Sequence, residues 1–121
     1  MTGVIIDSPI LIDALIGLGS ARTAIVTAPE RYITRLAWAE LMGSAKGDEG
    51  RVEEFLDNFR IVELTEDIAR RGAALRRQQP GMGLADALTL AAAQLTGRIL
   101  VTRNTKDFPA AMPGIRVPYT L

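Results

Sequence analysis

Short apolar runs alternate with longer amphipathic stretches along the whole chain of 121 residues. The runs are rich in β-branched and aliphatic residues, and they lack the strict alternation expected of a strand with one wet face. Such runs are typical of parallel strands that are covered on both sides. They predict strands at 4–6, 32–33, 61–64 and 99–101, and an edge strand at 115–117.

Between these runs, apolar residues recur at the spacing of one helix face. The clearest case places Val52, Phe55, Leu56 and Phe59 at positions i, i+3, i+4 and i+7. Other helices are predicted over 9–16, from 34 to about 46, from 65 to 77 and from 84 to 95, with a short helix or irregular connector at 20–28. The helix over 84–95 is apolar on almost every side, which predicts a place in the core.

The ends of the first helix carry clear signals. Ser8 suits the N-cap, Pro9 suits the first helical position, and Gly17 and Gly19 are predicted to end the helix. Strands that alternate with helices in this way indicate an α/β fold with a parallel sheet and helices on both faces. No internal repeat or linker interrupts the pattern, so we expect a single domain over residues 1–121.

Composition narrows the possible chemistry. Apolar residues make up 48% of the chain and charged residues 23%, which is typical of a globular domain. With no cysteine and no histidine, the chain offers no Ser–His or Cys–His nucleophile pair and no thiolate or imidazole metal site. No apolar run is long enough to cross a membrane and no basic export signal is visible, so we expect a cytoplasmic protein.

Five polar residues stand at positions that are unusual for ordinary surface groups. Asp7 directly follows the first strand, and Asn104 and Asp107 follow the last core strand. Glu40 lies on or beside the apolar stripe of its helix, and Asp86 is the only charge in the ten residues from 84 to 93. Each has an ordinary structural interpretation: a helix-start carboxylate, a rim glutamate, a first-turn aspartate or a polar turn.

Taken together, these residues favour a metal site. The carboxyl ends of parallel strands share one edge of the sheet, where ligands of open α/β folds bind. Clustered carboxylates raise each other's pKa values unless a cation neutralises them. Oxygen ligands alone select a hard ion such as Mg²⁺ or Mn²⁺, and such an ion suits phosphodiester hydrolysis by an activated water.

The sequence resembles the PIN-domain proteins, and among them the VapC toxins of bacterial toxin–antitoxin pairs. The resemblance covers essentially the whole chain. It rests on the opening VIIDSPILID, on AWAEL around Glu40, on LADALTLAAA around Asp86 and on LVTRNTKDF near the end. It implies a three-layer sandwich with a parallel, roughly five-stranded sheet, and a Mg²⁺- or Mn²⁺-dependent endoribonuclease. It also implies a VapB-like antitoxin, a homodimer, and a heterotetramer or larger assembly with the antitoxin.

By position, Asp7, Glu40 and Asp86 match the acidic metal-site residues of the family, with Asp7 and Asp86 as expected metal ligands. Ser8 matches a Thr or Ser beside the first aspartate. The family often has Asp directly after a Thr-Arg pair, where this chain has Asn104, and Asp107 stands three residues later. Either of these two residues fills the fourth position.

The helices around 9–17 and 52–59 carry enough apolar side chains to cover the sheet and leave a groove for a partner helix. The resemblance suggests that the C-terminal segment of an antitoxin lies there, with a basic side chain that reaches the acidic site. A second functional class stays open beside the ribonuclease. Because Asn104 adds no negative charge, the chain could also be a catalytically weak PIN-like module that mainly binds a partner protein.

Overall fold

A computed structural model of the chain describes residues 3–121. Strands and helices alternate as the apolar pattern predicts. In chain order they are β1 (Val4–Ile6), α1 (Ser8–Leu15), α2 (Gly19–Val26), β2 (Arg31–Thr34), α3 (Arg35–Ser44), α4 (Glu49–Leu56), β3 (Arg60–Val62), α5 (Glu66–Gln78), α6 (Leu84–Thr96), β4 (Ile99–Val101) and β5 (Ile115–Arg116).

The five strands form one parallel sheet in the order β3-β2-β1-β4-β5. The strand β1 therefore lies at the centre, and the chain adds strands first on one side of it and then on the other. In the register of β1 and β4, Ile6 is opposite Val101, so the two strands end side by side. The α/β prediction is confirmed, as is the five-stranded parallel sheet between helices.

Both faces of the sheet are apolar because successive side chains of a strand point to opposite sides. In β1, Val4 and Ile6 belong to a core shared with α1 to α4, whereas Ile5 belongs to a second core shared with α5 and α6. The continuous Val-Ile-Ile run is thus required by a strand that is covered on both sides.

The helices α5 and α6 approach each other closely at Gly72. A Cβ atom built at that position would lie 2.7 Å from Leu88 Cδ2 and 3.4 Å from Leu88 Cα. Gly72 therefore sets the distance at which α5 lies against α6. This packing matters for the site, because the first turn of α6 carries Asp86.

Some boundaries differ from the predictions. The N-cap of α1 is Asp7 and not Ser8, so Ser8 is the first helical residue and Pro9 the second. Gly19 does not end the first helix but begins α2, since Gly17 with its positive φ of 96° already turns the chain. Phe59 is buried but lies beyond the end of α4, immediately before β3. The prediction that the helix at 84–95 lies in the core holds only for its middle, because Leu84 and Leu95 are about half exposed.

Within residues 3–121, no single helix is long and apolar enough to cross a membrane. Taken together, the helices α1 and α2 are long and apolar enough for a membrane span, but they are bent by 119° at the break between them.

Candidate active site

The site lies at the edge where the central strands β1 and β4 end. Asp7 follows β1, and its backbone N–H donates to the carbonyl of Val101, the last residue of β4. Thr102 follows Val101 and is fully buried. The neighbouring parallel strands thus bring Asp7 and Thr102, which are 95 positions apart in the chain, into contact at one edge of the sheet.

Asp7 is a buried carboxylate with both oxygens engaged. Its Oδ2 accepts a hydrogen bond of 2.6 Å from the Thr102 hydroxyl. Asp7 is also the N-cap of α1, and its Oδ1 accepts a hydrogen bond of 3.0 Å from the backbone N–H of Ser8. Burial raises the pKa of Asp7, and these two bonds together with the charge of Arg103 oppose that rise. The side chain is therefore held in one orientation at the rim of the site.

A polar turn after β4 supports the Asp7 carboxylate through Thr102. The Thr102 hydroxyl oxygen accepts from the backbone N–H of Asn104 at 3.0 Å. The Asn104 side chain then pairs with Asp107, donating from Nδ2 to Oδ2 at 3.3 Å and accepting from the Asp107 backbone N–H at 3.4 Å. Asn104 and Asp107 therefore act as one unit, and Asn104 holds Asp107 in place.

Glu40 approaches from α3 on the exposed side of the site. Partial burial and the negative charge of Asp7 raise the pKa of Glu40, and a hydrogen bond with the Ser8 side chain lowers it. Glu40 thus lies at the rim, beside the buried stripe formed by Ala37 and Leu41. Ser8 lies near both carboxylates, because its N–H donates to Asp7 and its side chain lowers the pKa of Glu40.

Asp86 approaches from the first turn of α6 and is half-buried. Burial raises its pKa to about 6, and hydrogen bonding to Asp107 together with the charges of Asp7, Asp107 and Glu40 adds to the rise. A lone charge on an apolar helix would have to be paired or metal-bound, but the groups that act on Asp86 are other carboxyl groups, and they oppose its ionisation. Four carboxyl groups from four parts of the chain thus lie within electrostatic reach of one another.

The donor set of this site is suited to a hard cation, since it consists of carboxyl, amide and hydroxyl oxygens. The carboxylates are not, however, gathered as tightly as metal ligands, because no three Asp or Glu groups in residues 3–121 stand where they could hold one ion together. Asp7 is engaged by Thr102 and Ser8, and Asp107 by Asn104. The chemistry of the donors fits a divalent metal, and binding one requires the side chains to draw closer.

The structure also contains a second polar cluster beside this site, which the sequence did not predict. Asp13 on α1 is only 4% exposed, and its carboxylate accepts from Arg103 Nε at 2.6 Å, from Arg103 Nη2 at 3.2 Å and from the Tyr119 hydroxyl at 2.7 Å. The hydrogen bonds from Arg103 lower the pKa of Asp13. The only sequence signal was a charge on the apolar side of α1, between Leu11 and Ala14.

Comparison with known proteins agrees with the architecture. The PIN domain family profile matches residues 4–111. Among solved structures, the chain is similar to one in a toxin–antitoxin complex from Klebsiella pneumoniae, with 40% identity, a TM-score of 0.90, and coverage of 98% of this chain and 99% of that one. No curated protein sequence matches the chain.

Two more distant neighbours share the fold. One is a chain of VapBC2 from Rickettsia felis bound to a promoter DNA fragment, with 20% identity, a TM-score of 0.72 and coverage of 98% of both chains. The other is a chain of DNA-bound VapBC from Salmonella typhimurium, with 21% identity, a TM-score of 0.77, and coverage of 99% of this chain and 98% of that one. The resemblance to PIN-domain proteins is confirmed by the family profile, and the chain with 40% identity comes from a toxin–antitoxin complex.

Proposed function

Because this chain belongs to the PIN domain family, we propose that it is a metal-dependent endoribonuclease toxin that hydrolyses RNA phosphodiester bonds and is neutralised by a VapB-like antitoxin. The observation that carries the proposal is the convergence of four carboxyl groups at the end of β1 and β4, with an Asp86 pKa raised to about 6. Such mutual repulsion in a half-buried cluster favours the binding of a cation.

Asp7 and Asp86 are the proposed metal ligands, with Glu40 and either Asn104 or Asp107 completing the site and Ser8 assisting. Bound Mg²⁺ or Mn²⁺ would supply an activated water and stabilise the charge of the departing oxygen. Thr102 and the Ser8 N–H orient the Asp7 carboxylate.

Cleavage of RNA by the purified protein tests this function. RNA should be cut in Mg²⁺ or Mn²⁺ and left intact in EDTA, with products that carry 5′-phosphate and 3′-hydroxyl ends. Asp7→Ala and Asp86→Ala should each lose most of the activity, whereas Asp67→Ala, which changes an exposed first-turn aspartate of α5, should retain it. Cleavage that persists in EDTA, or products ending in 2′,3′-cyclic phosphate, would reject the mechanism.

The fourth position of the site is tested by a pair of variants. If Asp107 is a ligand, Asp107→Ala should lose as much activity as Asp7→Ala. If Asn104 holds that position, Asn104→Ala should be the more damaging change. Because the Asn104 amide bonds Asp107, Asn104→Asp would place two carboxylates at that contact, and its activity in Mg²⁺ reports whether an extra negative charge is useful there.

The proposed antitoxin site is a groove between α1, α2 and α4. It has a volume of about 370 Å³, its floor includes Leu15, Ile25 and Phe55, and its rim carries Arg22, Arg31 and Arg51. Val26 adds exposed apolar surface to the groove, and Ile12 on α1 and Ile16 directly after α1 are also exposed. An amphipathic antitoxin segment with acidic residues at its edges would match both the floor and the rim.

Co-expression tests the partner. The adjacent gene product should form a stable complex with this chain and suppress its toxicity, and Phe55→Glu should weaken the complex without abolishing RNA cleavage. An enzyme that stays uninhibited beside that gene product would contradict the proposal. The molar mass of the free protein in solution tests the proposed homodimer, and that of the complex tests the heterotetramer or larger assembly.

The second candidate is a PIN-like module that binds a partner but cleaves weakly. It is favoured by Asn104, which adds no charge, and by the absence within residues 3–121 of a ready-made cluster of three metal-holding side chains. Binding of the antitoxin without metal-dependent cleavage of RNA would select this alternative.

A further inference from the structure

The cluster formed by Asp13, Arg103 and Tyr119 holds an arginine at the rim of the acidic site. Asp13 accepts three hydrogen bonds, two of them from the same edge of the Arg103 guanidinium. This bidentate contact fixes the plane of the guanidinium, because two parallel bonds leave it little freedom to rotate. Burial and the bond to Asp13 raise the pKa of Tyr119, so its hydroxyl stays protonated and remains a donor.

The other edge of the same guanidinium is available. Among residues 3–121, Arg103 Nη1 makes no hydrogen bond, and it is not buried. The Arg103 side chain is 31% exposed. Its charge reaches Asp7, whose pKa it lowers. Arg103 also lies in the chain between Thr102 and Asn104, so the turn that supports the acidic cluster also carries this cation.

We propose that Arg103 binds a phosphate of the RNA backbone through its free edge, and that Asp13 and Tyr119 are the positioning residues that aim it. The inference rests on the proposed function, for which it names the group that receives the substrate. Asp7, Glu40, Asp86 and Asp107 repel a phosphate, and Arg103 is a cation that its contacts with Asp13 fix in place and whose charge acts on Asp7. A guanidinium already fixed by Asp13 loses little freedom when it binds a phosphate oxygen.

The test must separate this role from support of the fold. Removing Arg103 alone would leave the buried Asp13 carboxylate unpaired and would destabilise the protein. The test variant is therefore Asp13→Asn/Arg103→Gln, which removes both charges and keeps the net charge. Its matched control is Glu66→Gln/Arg70→Gln, which removes an exposed Arg–Glu pair on α5, where Arg70 Nε donates to Glu66 at 2.7 Å.

The measurement is the affinity for a fluorescein-labelled single-stranded RNA of mixed sequence at several salt concentrations. It is made in EDTA and again in Ca²⁺, with no Mg²⁺ or Mn²⁺ present. Loss of one phosphate contact should weaken binding about tenfold or more. It should also reduce the slope of log affinity against log salt by about 0.7, whereas the control should keep both values. A residue that only supported the fold would not change that slope.

Two further variants test the positioning. Arg103→Lys keeps the charge but loses the bidentate contact with Asp13, so we expect weaker RNA binding with the wild-type salt slope. Tyr119→Phe removes one bond to Asp13 and keeps Arg103, so we expect a smaller loss of affinity, again with the slope unchanged.

The outcomes distinguish the inference from the function on which it rests. If the wild type cleaves RNA and the Asp13→Asn/Arg103→Gln variant keeps the wild-type affinity and salt slope, the role of Arg103 is refuted and the ribonuclease stands. If the control variant loses as much as the test variant, the specific contact is likewise refuted. A wild-type protein that neither binds nor cleaves RNA refutes both.

Discussion

Replacing Asp86 with asparagine should stabilise the metal-free protein near neutral pH. In the folded chain the pKa of Asp86 is raised from 3.8 to about 6, chiefly by burial and by its contact with Asp107. At pH 7.5 the side chain is ionised in both states, and the folded state bears the cost of that charge. The variant Asp86→Asn removes the charge and keeps the shape and the capacity to hydrogen-bond.

The magnitude follows from the size of the shift. A rise from 3.8 to about 6 corresponds to an upper limit of about 3 kcal/mol. Since Asp86 is only half-buried and solvent screens part of the repulsion, we expect a gain of about 1 kcal/mol in the free energy of unfolding. For a chain of 121 residues this is a rise of about 3–5 °C in Tm.

The gain should depend on pH with a definite sign. Because the folded-state pKa is the higher one, proton binding stabilises the fold of the wild type. That stabilisation is fully present below about pH 4 and is lost as the pH rises through about 6. The advantage of Asp86→Asn should therefore shrink at pH 4.5 to about a third of its value at pH 7.5.

Thermal unfolding in EDTA at the two pH values is the assay, with Asp67→Asn as the control. Asp67 also lies in the first turn of a helix but is exposed, so its replacement should cost about 0.3–1 kcal/mol through the helix dipole. In saturating Mg²⁺ the wild type should become more stable than Asp86→Asn. A ligand at a hundredfold excess over Kd adds about 2.7 kcal/mol to the free energy of unfolding, and the wild type alone should gain it. If Asp86→Asn destabilises the metal-free protein at pH 7.5, the proposed repulsion within the site is refuted.

Two further substitutions test the framework around the site. Thr102→Val keeps the shape but removes the donor to Asp7, so chemical denaturation should report a loss of about 1–3 kcal/mol, and an unchanged stability would show that the bond is dispensable. Gly72→Ala should cost about 1–3 kcal/mol because the new Cβ meets Leu88, whereas Gly43→Ala on α3, with no atom within 4 Å of the added Cβ, should gain about 0.5–1 kcal/mol in the same assay.

Much of the fold could be predicted because the relevant signals are local. The run Val4–Ile6 predicts a buried strand from its composition, and the structure has β1 at those residues. Thr65 caps α5 by accepting from the Ile68 N–H, as its position before an acidic first turn indicates. The end of α4 could not be predicted in this way. Phe59 keeps the helical spacing of the apolar stripe although the chain has already turned towards β3.

The meeting of the acidic residues at one edge of the sheet could be predicted from the topology alone. Asp7 and Asp107 follow strands that are neighbours in a parallel sheet, so their common edge follows from the α/β pattern. Asp86 was recognisable as the only charge in an apolar helix. The exact spacing of the carboxylates could not be predicted, because it depends on side-chain bonds such as those of Asn104 to Asp107.

The cluster around Asp13 shows why the rest was out of reach. Its partners, Arg103 and Tyr119, are 90 and 106 residues away along the chain, and neither helix periodicity nor strand alternation relates positions so far apart. In sequence, Asp13 breaks the apolar face of α1 for no local reason, and only the folded chain supplies its three donors. The break in the apolar stripe of α1 is therefore explained by a distant cationic partner. Here that partner stands in the same turn as Thr102, which holds Asp7.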